Sequence, residues 1–348
     1  MTIGKTMKAA LLFGAGDLRV EEMPTPRPSP DDVLVRIEAC GVCGGDYHGY
    51  QSAKPRTDPT PAGHEAAGTI AEFGERAGRS GEEKLRVGDR VALSPGFWCG
   101  NCGPCLNGRR RFCENTPKRD GSSGGGFSQY RVVRPSQCYP IPDSLSFASA
   151  TMAEPVACCL YASGRAGIGT GDRVAILGAG ANALVFLQIA LIRGAKSVVV
   201  ADTIESRLSV AKSLGATRTV KAEYPDQPVD GDGEYDVIIV TRGSPVFTET
   251  AVQYCAPRGR ILCYGVSPAG VGASIETHEV WRKEISLIGS RSFDGTYGEA
   301  VDLISAGRIR VDAIVTSTVP LDGLASALAD PPDGHIKAVT LPGATQET

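Results

Sequence analysis

A glycine-rich turn between a predicted buried strand and a predicted helix narrows the possible folds of this chain more than any other segment. Residues 173–178 form an apolar run typical of a strand buried on both faces, and 181–193 have the pattern of an amphipathic helix. Gly178, Gly180 and Ala183 occupy the three small-residue positions of the turn between them. Gly178 permits a tight turn, Gly180 lets a pyrophosphate approach the backbone, and Ala183 allows the helix to pack on the strand. The turn therefore predicts a dinucleotide site at the helix N-terminus.

The segments after this turn alternate between apolar runs and helical patterns. Predicted strands lie at 197–202, 236–240 and 260–265, with helices predicted at 204–214 and 247–255. Uniformly apolar strands joined by helices indicate a parallel sheet covered on both faces.

Asp202 closes the strand at 197–202, where an acidic side chain accepts hydrogen bonds from the adenosine ribose. Its charge repels a 2′-phosphate, so we predict NAD rather than NADP. Arg207, further along the chain, is expected to stack on the adenine or to pair with Asp202. The alternative is a Rossmann-like fold that binds no nucleotide.

The first part of the chain has a different pattern. Between residues 7 and 150, short β-like segments are separated by glycine and proline turns, and no helix of useful length is predicted before about residue 145. These segments lie at 8–13, 33–38, 68–73, 90–93 and 130–133. A chain of 348 residues with such a change of pattern suggests two domains.

Charge and apolar patterning exclude several functional classes. The chain has 36 Lys and Arg against 39 Asp and Glu, so its net charge of −3 gives no reason to expect a nucleic-acid or membrane partner. No apolar run approaches the roughly 20 residues that span a bilayer, and the N-terminal segment lacks the features of a signal peptide. We therefore expect a cytoplasmic protein, and we expect it to form a homodimer or homotetramer.

Four of the 11 cysteines form a compact motif with the spacing C-x2-C-x2-C-x7-C. They are Cys99, Cys102, Cys105 and Cys113. Four thiolates with no open position make a structural zinc site. An iron–sulfur cluster is the alternative, although its usual spacings differ. We predict a zinc-binding lobe at about 95–115, and no disulfide framework, since the cysteine number is odd and no secretion signal is present.

A second set of candidate metal ligands is dispersed along the chain. It comprises Cys40, Cys43, Asp46 and His48, then His64 and Glu65, and finally Glu154. One thiolate, one imidazole and one carboxylate would supply the three protein ligands of a catalytic zinc. Sequence separation alone leaves their convergence open, because His64 also fits a core histidine and Glu154 a surface carboxylate.

Taken together, these motifs resemble the zinc-containing, medium-chain alcohol and polyol dehydrogenases, including the sorbitol, threonine and amino-cyclitol branches, from about residue 7 to 342. The resemblance is carried by Gly-Val-Cys-Gly-Gly-Asp-Tyr-His at 41–48, Gly-His-Glu at 63–65, the four-cysteine lobe and the glycine turn after them. It implies an α/β protein in which a GroES-like β-rich catalytic domain, 1–155 and 292–348, is interrupted by a Rossmann NAD-binding domain, 156–291.

The same resemblance implies roles for residues near the catalytic zinc. Cys43, rather than Cys40, is expected to bind zinc together with His64 and Glu154, the last within an Ala-Glu-Pro-Val segment. Glu65 would be the carboxylate beside zinc that can exchange with water.

Further implied roles concern the protons and the cofactor. Asp46 would accept a hydrogen bond from the His64 imidazole. His48 would end a proton relay near the nicotinamide ribose. Lys337 is expected near the cofactor phosphates, and Val266 is a further candidate cofactor contact.

One departure from the family pattern affects the proton route. The family has Ser or Thr two residues after the zinc cysteine, whereas this chain has Gly45, which carries no hydroxyl. We expect the proton to leave instead through water, through a substrate hydroxyl, or through Tyr47 or His48.

These observations predict an oxidoreductase with two Zn²⁺ per chain and NAD. The expected reaction interconverts a secondary alcohol and its ketone, with a small hydroxyl-rich substrate such as a polyol, sugar, amino-cyclitol or hydroxy-amino acid. One alternative is a reductase of a conjugated C=C or iminium in specialised metabolism, which Gly45 favours. The other is a non-catalytic nucleotide-binding protein.

Overall fold

The computed structural model describes residues 3–77, 85–116, 124–223 and 234–343. The chain divides into two compact units. The first consists of Met1–Glu154, Tyr297–Ala306 and Val315–Thr348, and the second of Pro155–Thr296 and Gly307–Ile314. We predicted that the chain returns to the first domain at residue 292, and in the structure it first returns to the first unit at Tyr297. Across the described residues, no helix combines the length and apolarity needed to cross a membrane.

The first unit is built mainly of antiparallel strands. In chain order they are β1 (Thr6–Gly14), β2 (Asp17–Pro24), β3 (Val33–Gly41), β4 (Glu65–Phe73), β5 (Arg90–Leu93), β6 (Tyr130–Val133), β7 (Cys138–Pro140), β14 (Val315–Pro320) and β15 (Lys337–Leu341). A seven-stranded sheet has the order β14-β15-β3-β4-β5-β7, with β6 paired to β3, while β1 and β2 form a hairpin. The core lies against β3, where Val33, Val35 and Ile37 are fully buried, because alternate side chains of a strand face the same side.

Short helices connect these strands. They are α1 (Gly44–Ser52), α2 (Gly103–Leu106), α3 (Phe147–Ala150), α9 (Tyr297–Ser305) and α10 (Leu324–Ala329). The sequence shows no helical periodicity of useful length before about residue 145, and α1 is a nine-residue helix that this pattern does not predict. None of the α1 residues is fully buried, so the helix has no apolar periodicity to detect. Its first turn is instead held by the Asp46 carboxylate, which accepts a hydrogen bond of 2.8 Å from the backbone N–H of Cys43.

The second unit is a parallel α/β fold, and the predicted fold class is confirmed. Its strands are β8 (Arg173–Leu177), β9 (Ser197–Asp202), β10 (Arg218–Lys221), β11 (Tyr235–Val240), β12 (Cys255–Cys263) and β13 (Ser286–Gly289). Its helices are α4 (Ala153–Arg165, entering from the first unit), α5 (Ala181–Ile192), α6 (Glu205–Ser213), α7 (Pro245–Tyr254) and α8 (Thr277–Lys283). All six strands are parallel, in the order β10-β9-β8-β11-β12-β13. Successive strands are added on one side of β8 up to β10 and on its other side from β11 onward, so the order of connection reverses between β8 and β11. Ligands of such sheets bind at the carboxyl ends of the strands at this reversal.

Candidate metal centres and cofactor site

The four cysteines of the predicted lobe converge. The sulfur atoms of Cys99, Cys102, Cys105 and Cys113 all lie within 4.8 Å of one another. Two of the pairs, Cys99–Cys105 and Cys102–Cys113, are 4.0 and 3.9 Å apart. Four sulfurs arranged tetrahedrally at 2.3 Å from one ion are separated by about 3.8 Å, so the arrangement fits zinc.

Local hydrogen bonds prepare two of these sulfurs to carry negative charge. The backbone N–H of Asn101, assisted by the side-chain amide of Asn115, lowers the pKa of Cys99 to about 6. The N–H of Cys99 donates to Cys113 Sγ at 3.3 Å and lowers the pKa of that thiol. Desolvation raises the pKa of Cys105 to about 12. A bound cation is what would hold all four sulfurs as thiolates.

A second group of ligand atoms is assembled by strand register. The Cys43 sulfur, a His64 ring nitrogen and a Glu65 carboxylate oxygen lie within 4.8 Å of one another. Cys43 follows the end of β3, and Glu65 opens β4, which pairs antiparallel with β3 so that Gly41 lies opposite Glu65. The pairing therefore brings together residues that are more than 20 positions apart in the sequence.

Glu154 does not belong to this second group. It lies in the first turn of α4 and is 8% exposed. Its charge is the second cause, after burial, that raises the pKa of the Tyr297 hydroxyl. The carboxylate that the structure brings to Cys43 and His64 is that of Glu65, because it is adjacent to His64 in the chain and faces the end of β3.

Asp46 and His48 lie on α1 in different surroundings. Burial raises the pKa of Asp46, while His64 and then the N–H of Cys43 oppose this rise, so the His64 imidazole is within electrostatic reach of the carboxylate. His48 is exposed, and its Nε2 is 3.4 Å from the Ser52 hydroxyl on the next turn of the same helix.

Lys337 lies beside Glu65. The two side chains, 5% and 2% exposed, form a buried ion pair. Burial lowers the pKa of Lys337, but the charges of Glu65 and then Cys43 outweigh that effect and raise it. Gly41 makes room for the pair, since a Cβ there would collide with the Glu65 carboxylate and lie 3.1 Å from Lys337 Cε. Sequence reasoning missed this pairing, and Gly41 was its only visible sign.

The glycine turn of the second unit has the predicted local structure. Gly178 has φ +111°, and a Cβ on it would lie 2.5 Å from the Thr241 hydroxyl, so only glycine fits. Gly180 is the N-cap of α5, and a Cβ on it would meet no heavy atom within 4 Å. Ala183 is buried where α5 packs on the sheet. The N–H groups that begin α5 are therefore available to phosphates.

Asp202 closes β9 beside this turn. Its Oδ2 accepts a hydrogen bond from Ala179 N at 2.7 Å, and its Oδ1 accepts one from Ile204 N at 2.9 Å. The residue lines a cleft together with Gly178, Thr203 and Arg242. The carboxylate thus shapes the turn as well as presenting its charge to the cleft.

The remaining cofactor candidates lie on α6 and after β12. Arg207 is half-buried in α6, and the Val266 side chain is 89% exposed after β12. The backbone of Val266 nevertheless packs closely on Gly243, where a Cβ would collide with the Val266 carbonyl. Their roles toward a cofactor stay predictions.

Comparison with known proteins places both parts of the chain in one family. Residues 29–143 match the alcohol dehydrogenase GroES-like domain, and residues 183–306 match the zinc-binding dehydrogenase domain. The chain is 30% identical over 341 residues to a sorbitol dehydrogenase of Bacillus subtilis, covering 94% of each protein.

Solved structures agree with this match. A zinc-binding dehydrogenase of Sinorhizobium meliloti bound to NADP superposes with a TM-score of 0.88 at 31% identity, over 97% of this chain and 100% of that one. The rspB alcohol dehydrogenase of Escherichia coli CFT073, complexed with NADH, gives 0.85 at 28% identity over the same shares. With its GroES-like and Rossmann folds and its cysteine, histidine and glutamate groups, this chain belongs to the zinc-containing medium-chain alcohol and polyol dehydrogenase family.

Proposed function

We propose that this protein is a zinc-dependent, NAD(H)-linked oxidoreductase that interconverts a secondary alcohol of a small, hydroxyl-rich compound and the corresponding ketone. The observation that carries the proposal is the convergence of Cys43, His64 and Glu65. The similarity to a sorbitol dehydrogenase supports a polyol-like substrate.

The donor atoms fit the metal that the family implies. One thiolate, one imidazole and one carboxylate are the ligands of a zinc site that keeps an open position for substrate. Zinc, when bound, polarises the substrate oxygen, and NAD accepts the hydride. Asp46 orients the His64 ring by its negative charge. Lys337 holds the Glu65 carboxylate in place.

The third zinc ligand is tested by comparing two carboxylates. The resemblance implies Glu154, whereas the geometry favours Glu65. We expect Glu65→Gln to lower zinc affinity by more than the roughly 10–100-fold that follows loss of a residue supporting a ligand, and Glu154→Gln to retain the metal. Zinc content after dialysis against a graded chelator measures both, with Glu38→Gln as a matched control on β3 of the same unit. If Glu154→Gln lost zinc and Glu65→Gln retained it, Glu154 would be the third ligand instead.

The NAD preference is proposed to depend on Asp202. Replacing it with serine removes the charge that repels a 2′-phosphate, together with a hydrogen-bonding group for the ribose. Since hydrogen bonds to charged groups contribute about 1.5–3 kcal/mol, we expect the ratio of kcat/KM for NAD over NADP to fall at least tenfold. Steady-state kinetics with both cofactors measures this ratio. A wild-type preference for NADP would contradict the role assigned to Asp202.

Substitutions at two glycines of the turn test folding and cofactor binding separately. We expect Gly178→Ala to destabilise the second unit by about 1–3 kcal/mol, because a non-glycine residue is strained at its φ of +111°. Gly180→Ala should leave stability within about 0.5 kcal/mol, since its Cβ meets open space, yet weaken NAD binding where the pyrophosphate approaches. Thermal unfolding and calorimetric NAD titration distinguish the two effects. Unchanged NAD affinity in Gly180→Ala would contradict this phosphate site.

The reaction itself is tested with a panel of polyols, sugars, amino-cyclitols and hydroxy-amino acids, with NADH absorbance as the readout. Oxidation of at least one secondary alcohol is the expected result. Gly45, which lacks the hydroxyl of the family's relay, favours as second candidate a reductase of a conjugated C=C or iminium. Oxidation of NADH by such acceptors, with no alcohol oxidised, would establish that candidate. NAD binding without turnover in either panel would leave a nucleotide-binding protein.

A further inference from the structure

A hydrogen-bonded pair in the first unit has no part in the function proposed above. The Tyr47 hydroxyl and His335 Nε2 are 2.9 Å apart, although the residues are separated by 288 positions in the chain. Tyr47 lies on α1, and His335 lies in the segment between α10 and β15. Both residues are half-buried, so the pair is partly accessible to solvent.

The direction of this contact depends on the tautomer of His335. A neutral ring protonated at Nδ1 accepts from the Tyr47 hydroxyl at Nε2. Nδ1 lies 3.4 Å from the Thr316 hydroxyl, which accepts from the N–H groups of Ile336 and Lys337 and donates to the Lys337 carbonyl at 3.2 Å. The relay proposed below takes the ring protonated at Nδ1 as its starting tautomer.

Tyr47 also lies close to the second metal group. It follows Cys43 by four positions, which places the two residues on one face of the first turns of α1, and its N–H is 3.4 Å from the Cys43 carbonyl. The pKa of Tyr47 is raised by burial, lowered by Lys337 and raised by Asp46. The phenol is therefore within electrostatic reach of the two charged residues that flank Cys43, His64 and Glu65.

The space that a relay hydroxyl would fill is open. A Cβ on Gly45 would meet no heavy atom within 4 Å. Water can enter such a space and bridge polar groups at an entropic cost of only about 0–2 kcal/mol. Tyr47 lies two residues after Gly45 on α1, and its hydroxyl is already paired with His335 Nε2.

We propose that Tyr47 and His335 carry the proton of the reaction from the metal-binding pocket to solvent, in place of the hydroxyl that Gly45 lacks. This inference rests on the proposed function, because oxidation of a hydroxyl by NAD releases a proton, whereas reduction of a C=C or iminium releases none. As the substrate O–H bond breaks, its proton passes through water to the Tyr47 oxygen, and the phenolic proton moves to His335 Nε2. The imidazolium then releases its Nδ1 proton to solvent, and exchange with water restores the starting tautomer. One proton leaves for each hydride transferred to NAD.

The hydrogen bond is tested without catalysis by nuclear magnetic resonance of protein labelled with ¹⁵N-histidine. Near neutral pH, His335 is expected to be protonated at Nδ1, with an Nε2 signal that moves in Tyr47→Phe while the signals of the other three histidines stay in place. His335→Gln assigns the resonance. A His335 ring protonated at Nε2, or an Nε2 signal that Tyr47→Phe does not move, would overturn the relay.

The transfer is tested by turnover with an alcohol that the wild type oxidises. Tyr47→Phe and His335→Gln are each expected to lower kcat by about 10²-fold, with little change in KM. Glutamine retains a hydrogen-bonding group but cannot carry a proton. Added imidazole should restore activity to His335→Ala, and the exposed His278→Gln on α8 serves as a control with unchanged kcat.

The outcomes separate this relay from the proposed function. Full kcat in His335→Gln, or imidazole rescue of His48→Ala but not of His335→Ala, would overturn the relay and leave the dehydrogenase assignment intact. A wild type that oxidises no alcohol, although the ¹⁵N spectra show the Tyr47–His335 hydrogen bond, would overturn the proposed function and the relay with it.

Discussion

Replacing His64 with alanine is expected to lower turnover by about 10³-fold, since a Lewis-acid metal contributes several kcal/mol to the transition state and each 1.36 kcal/mol is a factor of ten. The variant removes one of the three ligand atoms that lie within 4.8 Å of one another. Cys43→Ser should behave similarly, because serine replaces the only sulfur of that group.

Metal content makes this first prediction specific. The wild type should contain two zinc ions per chain, and His64→Ala one, held by the four-cysteine lobe. Circular dichroism and the unfolding temperature should change little, and His278→Ala on exposed α8 should retain both zinc ions and full turnover. Wild-type turnover in a His64→Ala protein that holds a single zinc would disprove the catalytic site.

Loss of a lobe cysteine is expected to affect stability rather than chemistry. Structural zinc contributes folding free energy directly, so we expect Cys102→Ser to lower the free energy of unfolding by at least about 2 kcal/mol, which corresponds to a decrease of roughly 4–8 °C in Tm. Calorimetry with and without a chelator measures the effect. The wild-type Tm should fall when zinc is removed, and that of Cys102→Ser should no longer respond.

The matched control is Cys138→Ser. Cys138 is a buried cysteine of the same unit, and it belongs to no metal-ligand group among the residues described. The same change of sulfur to oxygen there should leave zinc content and chelator response unaltered, whatever it does to packing. If Cys102→Ser retains two zinc ions per chain, the lobe is not a four-thiolate site.

The sequence was most informative where function depends on backbone shape. Gly178 and the apolar run before it predict both a strand and a tight turn, and the structure shows the positive φ that requires glycine. The spacing of Cys99, Cys102, Cys105 and Cys113 likewise predicts a local cluster, because the whole motif spans 15 residues and needs no distant partner.

Contacts between residues that are distant in the sequence could not be predicted from local patterns. The meeting of Cys43 with Glu65 depends on the register of β3 and β4, which sequence spacing does not encode. The choice between Glu65 and Glu154 therefore followed family resemblance and differs from the observed geometry. The Tyr47–His335 contact joins segments 288 positions apart, and although Tyr47 lies in the motif at 41–48, no local motif marks His335. Helix α1 was not predicted, because none of its residues is fully buried and its sequence therefore shows no apolar period.

The buried pair of Lys337 and Glu65 has a consequence for the order of assembly. A lone carboxylate 2% exposed would oppose folding of the seven-stranded sheet of the first unit until a cation was bound, but Lys337 already provides a positive charge. The sheet is thus able to fold before zinc binds, with the Glu65 carboxylate already beside Cys43 and His64. The four-cysteine lobe contains no such internal counter-charge among its ligands, so its closure is tied to metal supply. During biosynthesis under zinc limitation, the expected product is an inactive protein in which this sheet is folded and the four-cysteine lobe is open.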